Sequence, residues 1–108
     1  MVARVAKTAA PRPPRVSVIC PCRNERGNIE EAVRRLPPLG SSTELIFVEG
    51  HSTDGTLEEC RRVAAAHPER DIKLYDGPAI CKALNVRTGF DRAEGDILMI
   101  LDADLTTM

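Results

Sequence analysis

The sequence predicts an α/β protein: a Rossmann-like three-layer αβα sandwich built on a mostly parallel sheet of strand order 3-2-1-4. Four short apolar runs start roughly every 25 to 30 residues, which is the spacing of βαβ units. Segments with apolar residues at helical spacing lie between these runs. Because crossovers between parallel strands are right-handed, this alternation places helices on both faces of the sheet.

The four apolar runs are the predicted strands. They are Val16–Cys20, Leu45–Val48, Ile72–Tyr75 and Ile97–Leu101. Pro21 closes the first strand, and polar neighbours give the third an edge position. The fourth has five apolar residues without a break, which predicts a strand buried on both faces.

Three helices are predicted between the strands. The first starts at Asn28, which forms a capping-box pattern with Glu31. The second follows the loop that ends at Thr56. The third runs from about Ile80 to Ala93 and contains Gly89, which costs about 1 kcal/mol relative to Ala in a helix. We expect that glycine to permit close packing of the helix on the sheet.

Composition excludes several classes of function. The chain has 108 residues, enough for one domain with a modest core. A net charge of -1 gives no electrostatic case for a nucleic-acid partner, and 3% aromatic residues without Trp argue against a stacking platform. Four scattered cysteines indicate reduced thiols in the cytoplasm rather than zinc. No apolar run approaches the roughly 20 residues of a membrane span.

The segment from Met1 to Arg15 differs from the rest of the chain. It carries four cations and three prolines but no acidic residue. We predict a disordered, basic, Pro-rich tail over residues 1–15, because nothing in it could bury a core. A basic targeting or membrane-surface arm is the alternative. The remaining domain is then 16–108.

Two carboxylates, Asp102 and Asp104, directly follow the last strand. Alternate residues of an extended backbone point the same way, so both would aim at one point beyond the strand. Two hard oxygen donors suit Mg²⁺ or Mn²⁺, which is useful where a diphosphate must be held or must leave. On spacing alone, a solvated turn is the alternative.

The predicted strand order brings three polar loops to one edge of the sheet. Ligands of such folds bind beyond the carboxyl ends of the strands, at the switch point between the first and fourth strands. The Pro21–Glu25 loop would therefore lie beside Asp102 and Asp104. The Glu49–Asp54 loop would be the next neighbour.

Five motifs occur in the order and spacing of a known family. They are Pro21–Glu25, Val48–Thr56, Lys82–Asn85, Ala93–Asp96 and Leu101–Asp104. Together they resemble family 2 glycosyltransferases of the GT-A fold, in particular the branch of dolichol- and polyprenyl-phosphate sugar transferases. The resemblance covers almost everything from Val16 to Thr106. It implies transfer of a sugar from a nucleoside-diphosphate sugar to an acceptor hydroxyl or phosphate, with metal assistance and inversion.

The resemblance also implies the site residues. Those implied to bind the nucleotide sugar are Pro21, Arg23, Asn24, Glu25, Glu49, Asp54, Lys82 and Asp102. Glu25 would lie near the ribose or base, Glu49 would read the base and Lys82 would approach the diphosphate. Asp102 and Asp104 would hold the metal, Mg²⁺ or Mn²⁺.

Some positions depart from the family pattern or allow a second interpretation. The usual Asp-Asp or Asp-Gly before the Ser of the second motif reads Glu49-Gly50-His51, and the loop before Lys82 lacks its second glycine. From the residues alone, Asn24 and Asp54 fit helix caps equally well. Glu25 also fits a solvated loop charge, and His51 a turn residue.

The chain ends at Met108, just after the Asp pair, so we expect the N-terminal nucleotide-binding half of a transferase. The general base, the acceptor-binding half and any membrane helices would lie beyond it. We expect nucleotide binding without turnover and a cytoplasmic location, at the face of a membrane if the missing part associates there. The fourth strand would expose an unpaired edge, a route to aggregation or dimerisation.

Two other classes of function stay open. A nucleotidyltransferase-like enzyme shares the layered sheet, but it usually has a Gly-rich basic loop after the first strand, which Pro21–Glu25 does not supply. A noncatalytic binding or regulatory module would keep the sheet without metal-dependent nucleotide binding. The sequence leaves the sugar, the base, the acceptor and the oligomeric state open.

Overall fold

The fold is taken from a computed structural model in which residues 2–6, 14–78 and 82–102 are described. The five strands are β1 (Val2–Ala6), β2 (Arg15–Cys22), β3 (Ser42–Glu49), β4 (Asp71–Asp76) and β5 (Ile97–Leu101). The helices are a 3₁₀ turn (Arg26–Asn28), α1 (Ile29–Arg35), α2 (Thr56–Ala66) and α3 (Lys82–Arg92). None of the helices in the described ranges has the length and apolar character needed to cross a bilayer.

The strands form one sheet of order β1-β5-β2-β3-β4. Strands β2 to β5 are the four predicted strands and run parallel, so the predicted order 3-2-1-4 is confirmed. Val16 lies opposite Ile97, and Cys22 lies opposite Glu49. This register brings the carboxyl ends of β2, β3 and β5 to the same edge of the sheet.

Strand β1 differs from our expectation for the N-terminal segment. Val2–Ala6 pair antiparallel with β5, from Val2 opposite Leu101 to Ala6 opposite Ile97. The prediction of disorder is therefore wrong for these five residues and for Arg15, which begins β2, and the predicted open edge on β5 is wrong as well. The reason is that the free backbone groups of β5 offer hydrogen-bond partners to an extended segment. Residues 7–13 lie outside the described ranges, and the division into 1–15 and 16–108 stays a prediction.

Two local signals at the start of the fold were misleading. Strand β2 continues through Pro21, which we expected to close it. The proline is tolerated because β5 pairs with β2 only as far as Ile19, so β2 has an edge on that side. The predicted capping box is also absent, since the Asn28 amide donates to Glu25 Oε2 at 2.8 Å.

The core has two halves, one on each face of the sheet. Helices α1 and α2 cover one face through buried residues that include Ile29, Val33, Cys60 and Val63. Helix α3 packs on the opposite face, where Ile19, Ile46 and Val48 lie buried. The site therefore rests on a rigid central pair of strands, β2 and β3.

Strand β5 is less buried than its apolar sequence predicts. Of its five residues only Leu98 is buried, and Met99 and Leu101 line an apolar groove of about 240 Å³ beside α1. The prediction that β5 is buried on both faces is therefore wrong for the face that carries Met99 and Leu101. Ile97, Met99 and Leu101 pack against the core on the side of α1 and α2 but are only partly buried, so among the described residues that side of β5 is covered in part.

Candidate functional site

A polar cavity opens at the carboxyl ends of β2 and β5. Its volume is about 170 Å³, and its lining residues are Pro21, Cys22, Arg23, Glu25, Lys82, Asn85 and Asp102. It lies at the switch point between the first and fourth strands of the parallel sheet, where ligands of such folds bind. The groove beside α1 is apolar apart from Arg35, whose guanidinium pairs with Glu31, so it is less suited to a charged ligand.

The cavity brings two cations and two carboxylates together. Lys82 begins α3, and its Nζ lies 3.5 Å from Asp102 Oδ2 at the end of β5. Within the described ranges, Arg23 is exposed and makes no hydrogen bond or ion pair. Among the described residues Lys82 is held by one exposed ion pair, so both Arg23 and Lys82 can contact an anion.

The other carboxylate of the cavity, Glu25, is held in a fixed position. Its backbone N–H donates to Thr56 Oγ1 at 2.9 Å, and its Oε2 accepts a hydrogen bond from the Asn28 amide at 2.8 Å. Glu25 is partly buried rather than a solvated loop charge. A carboxylate oriented in this way can accept hydrogen bonds from a bound hydroxyl group.

Asn24 lies behind the cavity and joins two loops. Its φ is +54°, a left-handed conformation that Asn tolerates better than most residues. Its backbone N–H donates to Ser52 Oγ at 2.8 Å, and its Oδ1 accepts from the Thr53 N–H at 2.9 Å. The structure therefore uses Asn24 to connect the segment 23–25 with the segment 50–55, which we call the β3 loop.

Glu49 and Asp54 also lie outside the cavity lining. Glu49 is 5% exposed, and its carboxylate accepts hydrogen bonds from the backbone N–H and the hydroxyl of Ser52. Asp54 accepts from the N–H and hydroxyl of Thr56 and from the Arg26 N–H. The hydrogen bond from Thr56 lowers the pKa of Asp54. Both carboxylates stabilise the loops that carry the cavity.

Sequence reasoning missed two lining residues, Cys22 and Asn85. The Cys22 thiol lies 3.9 Å from that of Cys60, and this hydrogen bond and burial raise its pKa, so it stays protonated at neutral pH. Asn85 is 2% exposed in the middle of α3. An Asn inside a predicted helix, where its propensity is poor, was the signal that could have identified it.

The donor set at this edge suits a hard divalent cation. Asp102 and Glu25 both supply carboxylate oxygens to the cavity, which are ligands that Mg²⁺ and Mn²⁺ prefer. The described residues contain no group of three or more His, Cys, Asp or Glu that could hold a metal by itself. Asp104, the second predicted ligand, lies outside the described ranges.

Comparison with known proteins gives the family. The family model described as glycosyl transferase family 2 matches residues 17–108. The dolichol-phosphate mannosyltransferase of Pyrococcus furiosus is 34% identical over 93 residues, which are 84% of this chain and 26% of that protein. The Saccharomyces cerevisiae enzyme of the same name is 36% identical over 97 residues, 82% of this chain and 35% of the relative. The chain thus spans about a third or less of these curated relatives.

A solved structure agrees with both the fold and the family. The mannosyltransferase PcManGT from Pyrobaculum calidifontis, in complex with GDP-Man and Mn²⁺, superposes with a TM-score of 0.75 at 36% identity. The match covers 84% of this chain and 28% of that one. The sheet order and this likeness identify the fold as GT-A. The chain therefore belongs to glycosyl transferase family 2.

Proposed function

We propose that this chain is the nucleotide-sugar-binding part of a glycosyltransferase that moves a sugar from a nucleoside-diphosphate sugar to an acceptor, with inversion at the anomeric carbon. The observation that carries the proposal is the polar cavity at the carboxyl ends of β2 and β5, lined by Arg23, Glu25, Lys82 and Asp102. The complex of the similar mannosyltransferase with GDP-Man and Mn²⁺ supports a donor of this class.

Each charged residue of the cavity has a role in this proposal. Arg23 and Lys82 provide positive charge for the diphosphate, and the planar guanidinium of Arg23 can also stack on the base. Glu25, oriented by Thr56 and Asn28, accepts hydrogen bonds from the ribose. Asn24, Glu49 and Asp54 act behind them by holding the two loops in place.

A divalent cation, Mg²⁺ or Mn²⁺, belongs to the proposal. Asp102 would hold it together with Asp104, and Lys82 would then leave Asp102 for the diphosphate. When bound, the ion stabilises negative charge on a departing diphosphate. A cavity of about 170 Å³ matches part of a nucleoside diphosphate, since complete small-molecule pockets are usually about 300 Å³ or larger.

The acceptor and the location follow from the relatives and stay proposals. Dolichol phosphate and undecaprenyl phosphate occur in the names of similar proteins, so a polyprenyl phosphate is the proposed acceptor class, with a saccharide as the alternative. A cytoplasmic location at a membrane surface fits such an acceptor. We expect the chain alone to bind nucleotide without turnover, because it spans only 26% and 35% of the length of the two similar dolichol-phosphate mannosyltransferases.

A thermal-shift titration tests the proposal. The chain is titrated with UDP, GDP, CDP and ADP, each with and without Mn²⁺, and a ligand at 100 times its Kd should stabilise by about 2.7 kcal/mol. We expect one nucleotide to give a metal-dependent shift that the double variant Asp102→Asn/Asp104→Asn loses. The matched control Glu58→Gln/Asp91→Asn removes two exposed carboxylates of α2 and α3 and should keep the shift.

Other outcomes assign the chain differently. A shift that does not depend on metal would argue against the proposed role of the two Asp residues. No shift with any nucleotide would favour a noncatalytic module that has kept the sheet. Sugar transfer by this chain alone would contradict the expectation of binding without turnover.

A further inference from the structure

His51 connects two loops of the protein. It lies in the β3 loop, and its Nε2 is 3.0 Å from the carbonyl oxygen of Gly77, in the turn between β4 and α3. A carbonyl oxygen only accepts hydrogen bonds, so Nε2 must carry the proton. The contact therefore requires a ring that carries a proton on Nε2.

The backbone at His51 adopts a conformation that is uncommon for residues other than glycine. Its φ is +60°, in the left-handed region that favours glycine and disfavours a branched or bulky side chain. The preceding residue, Gly50, donates its N–H to the Cys22 carbonyl at 2.8 Å, which fixes the entry to the loop. Histidine is, with Asn and Asp, one of the non-Gly residues found most often in this region, so the loop can present the ring to Gly77 at a modest cost in strain.

Gly77 packs against a residue of the cavity wall. Its N–H donates to the Glu49 carbonyl at 2.7 Å. A Cβ at this position would overlap the amide oxygen of Asn85 and would lie 2.9 Å from the Glu49 carbonyl oxygen. Gly77 is thus packed directly against Asn85, which is buried and lines the cavity.

We propose that His51 is a positioning residue for nucleotide binding: its hydrogen bond to Gly77 fixes Gly77 against Asn85, and through Asn85 it fixes the wall of the cavity that α3 provides. The inference rests on the proposed function for its ligand, but the effect on the turn can be measured without any ligand. It assigns a role to a residue that the sequence indicated only as part of a turn.

Three variants separate the hydrogen bond from the backbone strain. His51→Gly and His51→Asn both suit a positive φ, but neither places a donor at the position of Nε2. His51→Gln does place an amide N–H near that position, although Gln suits the backbone less well. The proposal predicts that the dissociation constant for the nucleotide is about fivefold higher than that of the parent in the His51→Gly and His51→Asn variants. In His51→Gln it should stay within about twofold of the parent value.

The melting temperatures should follow a different order. The Gly and Asn variants should melt within about 2 °C of the parent temperature, because a better fit to the positive φ offsets the lost hydrogen bond, and the Gln variant should melt at or below it. A merely structural role would make affinity and stability change together. His67→Gly, at the end of α2 and far from the cavity, is the matched control and should leave the nucleotide affinity unchanged.

Hydrogen exchange of the ligand-free chain decides the point independently. The Gly77 amide should exchange about fivefold faster in the Gly and Asn variants and at the parent rate in the Gln variant. The ¹⁵N shifts of the His51 ring should show the tautomer protonated on Nε2. Unchanged Gly77 exchange in all three variants would overturn the inference, whereas failure of the parent chain to bind any nucleotide would count against the proposed function alone.

Discussion

The close contact between α3 and the central strand gives the most direct test of the packing, through Gly89→Ala. A Cβ at Gly89 would lie 2.5 Å from Ile19 Cγ2 and 2.8 Å from Ile19 Cγ1, closer than packed carbon atoms approach. Ile19 is fully buried on β2 and cannot move aside freely. The glycine therefore has a packing reason, as its position inside a helix suggested.

The expected magnitude is the difference between two opposing effects. Alanine favours the helix by about 1 kcal/mol relative to glycine. Overpacking of a tight core typically costs about 1–3 kcal/mol. With two contacts below 3.0 Å we expect the upper half of that range. The net effect is a loss of about 1–2 kcal/mol in the free energy of unfolding, or roughly 4–8 °C in Tm.

Urea unfolding of four variants measures this effect. Gly27→Ala is the matched control, because an added Cβ there meets nothing within 4 Å, and it should be neutral or slightly stabilising. Ile19→Ala alone should cost about 2–5 kcal/mol, but clearly less in the Gly89→Ala background, where it relieves the overlap. Stabilisation by Gly89→Ala alone, or additive effects in the double variant, would refute the close packing of α3 on β2.

Three further predictions concern charges. Burial alone would raise the pKa of Glu44, but hydrogen bonds from Lys73, Ser17 and the Glu94 N–H lower it. The ionised Glu44 therefore stabilises the fold fully above pH 4.5, and this stabilisation is lost as the pH falls through the lowered folded pKa. Glu44→Gln should consequently flatten the loss of stability in acid unfolding curves. The hydrogen bond to Glu30 raises the pKa of His67, so the contribution of His67 to stability is present below pH 6.5 and is lost as the pH rises through the folded pKa. His67→Gln should therefore lose more stability near about pH 5.5 than near about pH 9. Equal losses at the two pH values would contradict the pairing of His67 with Glu30. Lys82→Met should weaken nucleoside-diphosphate binding about fivefold in calorimetry. The Tm without ligand should stay within about 2 °C of the parent value, because the ion pair of Lys82 with Asp102 is exposed. An unchanged affinity would show that Lys82 is not part of the site.

The order of the parallel strands could be predicted because the apolar runs and their spacing leave few alternatives. Ile97–Leu101 has the same bounds in sequence and structure. Its burial was overestimated, since periodicity alone does not say which helices cover a strand. The pairing of Val2–Ala6 could not be predicted, because it depends on a free edge at β5 that exists only in the folded sheet.

The candidate site was predicted in part. Pro21, Arg23, Glu25, Lys82 and Asp102 do line one cavity, because strand ends and a helix start meet at one edge of the sheet. Asn24, Glu49 and Asp54 have the right chemistry, but their side chains are engaged by neighbouring hydroxyl and N–H groups. The hydrogen-bond partner of a loop side chain depends on how closely two loops approach each other in the folded protein. The spacing of residues along the chain does not give that distance.

The measurement that tests the proposed site most directly is a ¹⁵N-labelled titration of the chain with the nucleoside diphosphate selected by thermal shift, in the presence of Mg²⁺, followed by replacement with Mn²⁺. We predict the largest shift changes at Arg23, Glu25, Asn85 and Asp102, and the strongest paramagnetic broadening by Mn²⁺ around Asp102. Shift changes concentrated in the apolar groove beside α1, or broadening at the opposite edge of the sheet near Glu44, would contradict a nucleotide-sugar site at the carboxyl ends of β2 and β5.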